Sequence, residues 1–98
     1  MDTYVILRRN GWRSPEELQA AGEKSARIGD EEMPDDIRWI RSYALAEEDG
    51  TIGTVCIYEA SSPEALRDHA ERVGMPATEV IAVADTVIVR PDPEEAAA

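Results

Sequence analysis

The chain has 98 residues, which is enough for one domain with a modest hydrophobic core. Ten basic residues stand against 21 acidic ones, and a net charge of −11 argues against nucleic acid and anionic membranes as partners, because both repel an acidic surface. The single cysteine cannot form an internal disulfide and the start of the chain does not resemble a secretory signal, so we expect a cytoplasmic protein.

The first part of the chain predicts a strand followed by a helix. Residues 4–7 form a β-branched and aromatic run. Ser14, Pro15 and Glu17 are typical of a helix start, because serine caps the helix, proline suits its first turn and glutamate can reach back to the cap. Gly29 is placed to end the helix in a left-handed turn. The apolar stripe that predicts the buried side of this helix consists of Leu18, Ala21, Ser25 and Ile28.

The second part of the chain predicts a hairpin, a helix and a last strand. Residues 37–45 and 52–58 read as two strands, and the Asp-Gly pair at 49–50 joins them by a tight turn. A second Ser-Pro-Glu sequence opens a helix over residues 62–74, which glycine then ends. Residues 80–89 are predicted to form the last strand.

The two halves of the chain repeat each other. Residues 14–24 and 62–72 share five identical positions at one fixed offset. A βαβ unit repeated once predicts a ferredoxin-like α+β fold, βαββαβ, with a four-stranded antiparallel sheet and both helices on one face. We expect a single domain over residues 1–90 and a disordered acidic tail over residues 91–98.

Strand alternation divides the sheet residues into two faces. The residues expected beneath the helices are Val5, Leu7, Ile40, Val55 and Ile57. The opposite phase carries Tyr4, Ile6, Arg8, Trp39, Arg41, Tyr43, Cys56 and Tyr58. An uncovered aromatic face of this kind predicts a homodimer, in which two sheets enclose a dimeric α/β barrel.

The same uncovered face suggests a ligand pocket between the two sheets. Its aromatic walls, guanidinium groups and thiol would suit a small anionic or aromatic molecule. The alternative, which we favour, is a plain dimer interface. The residues assigned to this pocket are Tyr4, Arg8, Trp39, Arg41, Tyr43, Cys56 and Tyr58.

The lone histidine offers a candidate metal site. His69 falls beside the buried stripe of the second predicted helix, with Asp68 next to it and Glu59 at the end of the preceding strand. Imidazole with carboxylates suits nickel, zinc or iron, and a dimer mate or water can complete the coordination. The alternative is a half-exposed helical histidine without a function.

Three stretches of the sequence resemble a known family. Residues 38–43 (RWIRSY), 56–60 (CIYEA) and 69–77 (HAERVGMPA) look like a group of small ferredoxin-like proteins of unknown function that includes a nickel-binding protein. The resemblance covers about residues 3–89 and implies a dimer that binds a metal or a small ligand. Several relatives carry a histidine immediately before the glycine of the third stretch, where this sequence has Val73.

The resemblance transfers only His69 as a metal ligand, whereas Glu59 and Asp68 are added from their proximity. The first hypothesis is therefore a non-catalytic protein that binds nickel or another divalent transition metal. The second is a small-molecule carrier, or an enzyme similar to the dimeric α/β-barrel oxygenases, with its pocket between the sheets. The third is an interaction module that meets a basic partner protein. We assign no catalytic residue.

Overall fold

The order of the elements follows the repeat in the sequence. The computed structural model describes residues 1–93. Its elements are β1 (Asp2–Trp12), α1 (Pro15–Glu32), β2 (Ile37–Ala46), β3 (Ile52–Ala60), α2 (Pro63–Val73) and β4 (Glu79–Ala82). The strands pair antiparallel in one four-stranded sheet, in the order β2-β3-β1-β4. The predicted ferredoxin-like α+β fold is confirmed.

Both helices begin where the Ser-Pro-Glu sequences predict. The Ser14 hydroxyl accepts a hydrogen bond from the backbone N–H of Glu17 at 3.2 Å, and Ser62 accepts one from Ala65 at 3.1 Å. Each cap satisfies one of the N–H groups that a first helical turn leaves without a partner. The second helix ends at Gly74, which adopts the left-handed conformation with φ of 84°.

The first helix does not end at Gly29 as predicted but continues to Glu32. Gly29 is buried within the helix, and a side chain there would meet Ile37 at 3.4 Å and the His69 ring at 3.7 Å. This glycine therefore allows close packing of the helix rather than a turn, and the chain leaves the helix at Met33. Neither helix within residues 1–93 is long and apolar enough to cross a membrane.

The last strand is shorter than predicted. It pairs with β1 only over Glu79–Ala82, and the N–H of Val83 makes one further bond to the carbonyl of Thr3 at 2.9 Å. The remainder of the predicted strand, to Val89, leaves the sheet. Of the predicted tail, residues 94–98 lie outside the described residues, whereas the Asp92 carboxylate accepts hydrogen bonds from Arg41 and Tyr43 of β2.

The predicted assignment of the sheet faces is wrong for β1 and β3. We call the side covered by α1 and α2 the helix face and the other side the open face. The residues on the helix face are Tyr4, Ile6, Arg8, Trp12, Thr54, Cys56, Tyr58 and Ala60. The aliphatic residues of the open face are Val5, Leu7, Val55 and Ile57, all half-buried.

The reason for this reversal lies in the small residues of α1. Gly22, Ser25 and Gly29 point toward the sheet, and a side chain added at Gly22 would reach the Trp39 ring at 3.8 Å. A helix with so little volume on its inner side leaves room that only large sheet residues can fill, because protein interiors are close-packed. Tyr58 fills that room and is almost completely buried.

A bulge in β2 divides its side chains between the two faces. The register with β3 shifts between Trp39 and Arg41, with Ile40 as the extra residue. Trp39 lies on the helix face and stacks on Tyr58, with ring centroids 6.1 Å apart. Arg41 and Tyr43 lie on the open face instead, because an inserted residue changes the phase of alternation.

Candidate functional site

Four polar side chains meet in the interior between the helices and the sheet. Arg8 comes from β1, Ser25 from α1, Tyr58 from β3 and His69 from α2. Each is at most 3% exposed, although polar groups of this size are rarely buried unless they have partners. We call these four residues the buried polar cluster.

Hydrogen bonds connect three members of the buried polar cluster. The hydroxyl groups of Ser25 and Tyr58 lie 3.1 Å apart, and Nε2 of His69 lies 3.0 Å from the backbone carbonyl of Ser25. Since a carbonyl only accepts, Nε2 carries the hydrogen and Nδ1 has a lone pair. That Nδ1 is buried and has no hydrogen-bond partner within residues 1–93.

Burial keeps two members of the cluster uncharged. It lowers the pKa of His69, against the opposing effect of the Ser25 carbonyl, and it raises the pKa of Tyr58, against the opposing effect of the Ser25 hydrogen bond. At neutral pH the imidazole and the phenol are therefore both neutral. Arg8 supplies the positive charge of the cluster.

Arg8 is incompletely paired. Its Nη1 donates to the backbone carbonyl of Pro76 at 2.6 Å, whereas its buried Nε and Nη2 have no hydrogen-bond partner among the described residues. None of the ion pairs within residues 1–93 includes this guanidinium. A buried donor without an acceptor costs about 1–3 kcal/mol, and more when it is charged. The guanidinium is close enough to the Tyr58 hydroxyl to lower its pKa, but no well-aligned hydrogen bond joins them, so these two donors still lack an acceptor among the described residues.

A cavity of about 200 Å³ lies beside the cluster, between α1 and the helix face of the sheet. We call it the helix-side cavity. Its polar lining includes Arg8, Ser25 and Tyr58, and its apolar lining includes both tryptophans, Trp12 and Trp39. The remaining lining residues are Leu18, Ser42, Ala44, Thr54, Cys56 and Met75.

The structure separates the residues that the sequence assigned to one pocket. Arg8, Trp39, Cys56 and Tyr58 do line one cavity, but it lies under the helices rather than between two sheets. Tyr4 belongs to the hydrophobic core. Arg41 and Tyr43 lie on the open face, where both donate to Asp92.

The structure also separates the three predicted metal ligands. His69 is buried against α1, whereas Asp68 is exposed and pairs with Arg72 at 3.0 Å. Glu59 lies on the open side of β3 and pairs with Arg38 at 3.5 Å. Within residues 1–93 no three His, Cys, Asp or Glu side chains come close enough to hold a metal ion. A nickel site built from these residues of a single protomer therefore does not fit.

Sequence reasoning did not assign Ser25 or Trp12 to the site. Ser25 was recognised as part of the buried stripe of α1, and a serine among apolar positions on a buried side is the signal that could have placed it in the site. Trp12 follows an irregular stretch of β1 that includes Asn10, whose φ is 52°. Such an irregularity shifts the alternation in a way that no simple pattern predicts.

The fold and the site together define a small ferredoxin-like α+β protein with a buried polar cluster and an adjoining cavity. The family model described as nickel responsive protein SCO4226-like matches residues 4–83, and the chain belongs to this family. The family resemblance noted in the sequence is thereby confirmed.

The fold is also similar to a solved structure, described as the crystal structure analysis of SCO4226 from Streptomyces coelicolor A3(2). The TM-score is 0.69, the sequence identity is 17%, and the match covers 87% of this chain and 99% of that chain. At this identity the likeness supports the fold alone. No curated protein matches the chain.

Proposed function

We propose that this protein is a non-catalytic small-molecule-binding protein and that its binding site is the helix-side cavity. The observation that carries the proposal is the pair of buried Arg8 nitrogens, Nε and Nη2, without a partner within residues 1–93. Buried donors of native proteins nearly always have an acceptor, so an exception calls for a physical reason. A ligand in the adjoining cavity would supply that acceptor.

The size and lining of the cavity support this proposal. Its volume of about 200 Å³ exceeds the roughly 150 Å³ of an engineered apolar cavity that binds benzene. Ligand sites commonly combine apolar and aromatic walls with a few polar groups that fix orientation. Here Trp12 and Trp39 supply aromatic walls, while Arg8 and Tyr58 supply polar groups.

The protonation states of the cluster support binding rather than catalysis. A general base works best when its pKa lies near the operating pH and its lone pair can reach the substrate. Burial moves the pKa of Tyr58 upward and that of His69 downward, away from neutrality in both cases. The ring N–H of His69 also donates a hydrogen bond to the backbone carbonyl of Ser25.

A fragment screen on the full chain tests this proposal. Because both tryptophans line the cavity, binding should change the intrinsic fluorescence, and calorimetry should give the affinity. Ala44→Phe should weaken binding by filling the cavity, whereas Ala46→Phe, on the same strand but outside the lining, should not. Failure of every fragment to bind the wild type, or equal binding to both variants, would refute the proposal.

We propose metal binding through His69 as a second function, with nickel or another divalent transition metal as the ion. The family description as nickel responsive favours it. The hydrogen bond of the His69 ring also favours metal binding. Metal-bound histidines usually donate their other N–H to a carboxylate, carbonyl or water, as Nε2 of His69 does to the Ser25 carbonyl. Nδ1 would then be the ligand atom. Since Glu59 and Asp68 do not converge on it, this candidate requires ligands in addition to the residues predicted from the sequence.

Nickel titration separates this second candidate from the first. His69→Gln keeps an amide N–H near the position of Nε2 and removes the Nδ1 lone pair, so it should weaken nickel binding at least about tenfold. Asp68→Asn is the matched control, because its carboxylate pairs with Arg72 on the surface. Equal nickel affinity in the wild type and His69→Gln would exclude His69 as a ligand.

We also propose that two protomers associate through their open faces. Half-buried aliphatic side chains occupy this face, and Val87, Ile88 and Val89 beside it are 83%, 76% and 80% exposed. A groove of about 980 Å³ separates residues 83–92 from the open face. Burial of these apolar groups by a second copy would stabilise a dimer by about 25 cal/mol per Å² before the entropic cost of association.

Light scattering at several concentrations tests the dimer. Ile81→Glu on the open face should shift the mass toward the monomer, whereas Ala20→Glu on the exposed side of α1 should leave it unchanged. A wild-type chain that is monomeric at every concentration would contradict the proposal.

The net charge of −11 further supports our proposal that neither nucleic acid nor an anionic membrane is a partner. We place the protein in the cytoplasm, where its single buried cysteine would stay a free thiol.

A further inference from the structure

We infer that the ligand of the helix-side cavity is a compact organic acid, with one carboxylate on a ring of about the size of benzoate, and that Arg8 binds the carboxylate. This inference rests on the proposed function and names the ligand class of the same site. The shape of the unpaired guanidinium edge, the walls of the cavity and its charge each support it.

The unpaired atoms of Arg8 form one edge of its guanidinium. Nη1 is occupied by the carbonyl of Pro76, and the remaining Nε and Nη2 are neighbours in the same plane. Two parallel N–H groups on one edge match the two oxygens of a carboxylate, which is the usual bidentate arrangement of arginine with this group. A single neutral oxygen could accept from both donors only in bent geometry, and it would leave the positive charge uncompensated.

The charge of the lining selects an anion with one negative charge. Arg8 is the charged side chain among the described lining residues, and this lining includes no Asp or Glu. A cation buried without an opposite charge is costly, and an ionised carboxylate compensates it directly. A second negative charge on the ligand would be buried without a partner.

The walls and the volume select an aromatic or similarly compact apolar body. Trp12 and Trp39 offer ring surfaces, Leu18 and Met75 offer aliphatic ones, and Met side chains adapt readily to an aromatic neighbour. The cavity, at about 200 Å³, has room for a benzene-sized ring with a carboxylate attached.

Three ligands of nearly equal shape test the inference: benzoate, benzamide and benzyl alcohol. Calorimetry with the full chain should show benzoate binding at least about tenfold more tightly than either neutral compound, because only benzoate compensates the Arg8 charge. Arg8→Met should weaken benzoate binding at least about 30-fold, since it removes one partner of a buried charge pair. Arg9→Met, whose guanidinium is exposed and pairs with Glu47, should leave the affinity unchanged.

The outcomes distinguish this inference from the proposed function. Binding of all three ligands with equal affinity, unaffected by Arg8→Met, would overturn the organic-acid assignment while the cavity remained a binding site. Binding of none of them, together with a negative fragment screen, would overturn both. Should Arg8→Met fail to fold, Arg8→Lys retains the charge without the planar edge, and undiminished benzoate binding to it would refute bidentate binding. Tighter binding of inorganic phosphate than of benzoate would refute the apolar body of the ligand.

Discussion

Replacement of Arg8 by methionine should stabilise the ligand-free protein, although Arg8 is one of its most buried residues. Two unpaired buried donors cost about 1–3 kcal/mol each, so their removal relieves about 2–6 kcal/mol. The same change removes the charge-assisted bond to the carbonyl of Pro76, which contributes about 1.5–3 kcal/mol. The difference centres on about 2 kcal/mol in favour of the variant. Because 1 kcal/mol shifts the melting temperature of a domain this small by about 4–8 °C, we expect a rise of about 8–16 °C.

Thermal unfolding followed by circular dichroism, with urea unfolding as a second measure, checks this expectation. Arg9→Met is the matched control. It removes an exposed arginine that already has a partner in Glu47, so it should give no gain in stability. A loss of stability of more than about 1 kcal/mol in Arg8→Met would show that the guanidinium is fully satisfied in the native protein. Arg8 would then have no missing acceptor for a ligand to supply.

Three further predictions concern the interior around the cluster. Leu66→Ala should lower the free energy of unfolding by about 2–5 kcal/mol in urea titrations, because truncation of this completely buried side chain leaves a cavity. A loss below about 1 kcal/mol would contradict the place of Leu66 in the core. Burial lowers the pKa of His69 in the folded state, so the unfolded chain takes up the proton first as the pH falls. The free energy of unfolding should therefore decrease as the pH drops below about 6.5. His69→Gln should remove this pH dependence between about pH 6.5 and 5. Tyr58→Phe should lower the free energy of unfolding by about 1–3 kcal/mol, because it leaves the Ser25 hydroxyl without its hydrogen-bond partner. The loss should exceed that of Tyr43→Phe on the exposed open face. Equal losses in the two variants would argue against the buried bond.

The fold was predictable because local signals in both halves agree with the topology. The two Ser-Pro-Glu sequences place helix starts at Ser14 and Ser62, where the structure finds capping hydroxyls. Gly74 ends the second helix in the left-handed conformation that glycine tolerates best. These signals act over a few residues, so tertiary packing does not need to be known to use them. Agreement between local preference and global fold is typical of natural sequences.

The faces of the sheet were not predictable in the same way, because alternation states which residues share a side without stating which side is covered. The aliphatic set that includes Val5 and Ile57 was expected beneath the helices, yet it lies on the open face. The deciding information was on another element, in the small inner residues Gly22 and Gly29 of α1. A helix with little volume toward the sheet requires large partners, so matching the volumes of facing elements would have corrected the assignment.

The three predicted metal ligands do not meet, for a related reason. In the sequence Asp68 is next to His69, and Glu59 shortly precedes them. However, adjacent side chains on a helix point in different directions, and successive side chains of a strand alternate between its two faces. Only His69 turns inward, where burial favours its neutral form. The histidine was therefore correctly identified as unusual, while its environment depends on contacts with Ser25 and Tyr58, which are distant in the sequence.

Arg8 shows why the sequence did not indicate the helix-side cavity. Arginine is almost never fully buried unless it is paired, so a strand phase that carries Arg8 is expected to face away from the core. The structure buries it nonetheless, with one bond to Pro76 and an adjoining cavity. Violations of sequence rules concentrate where a protein has a function to perform, because stability alone would select methionine or leucine there. Under the proposed function, the residue that contradicts the predicted sheet faces also marks the binding site, and the stability gain expected of Arg8→Met would measure how strongly function opposes stability at this position.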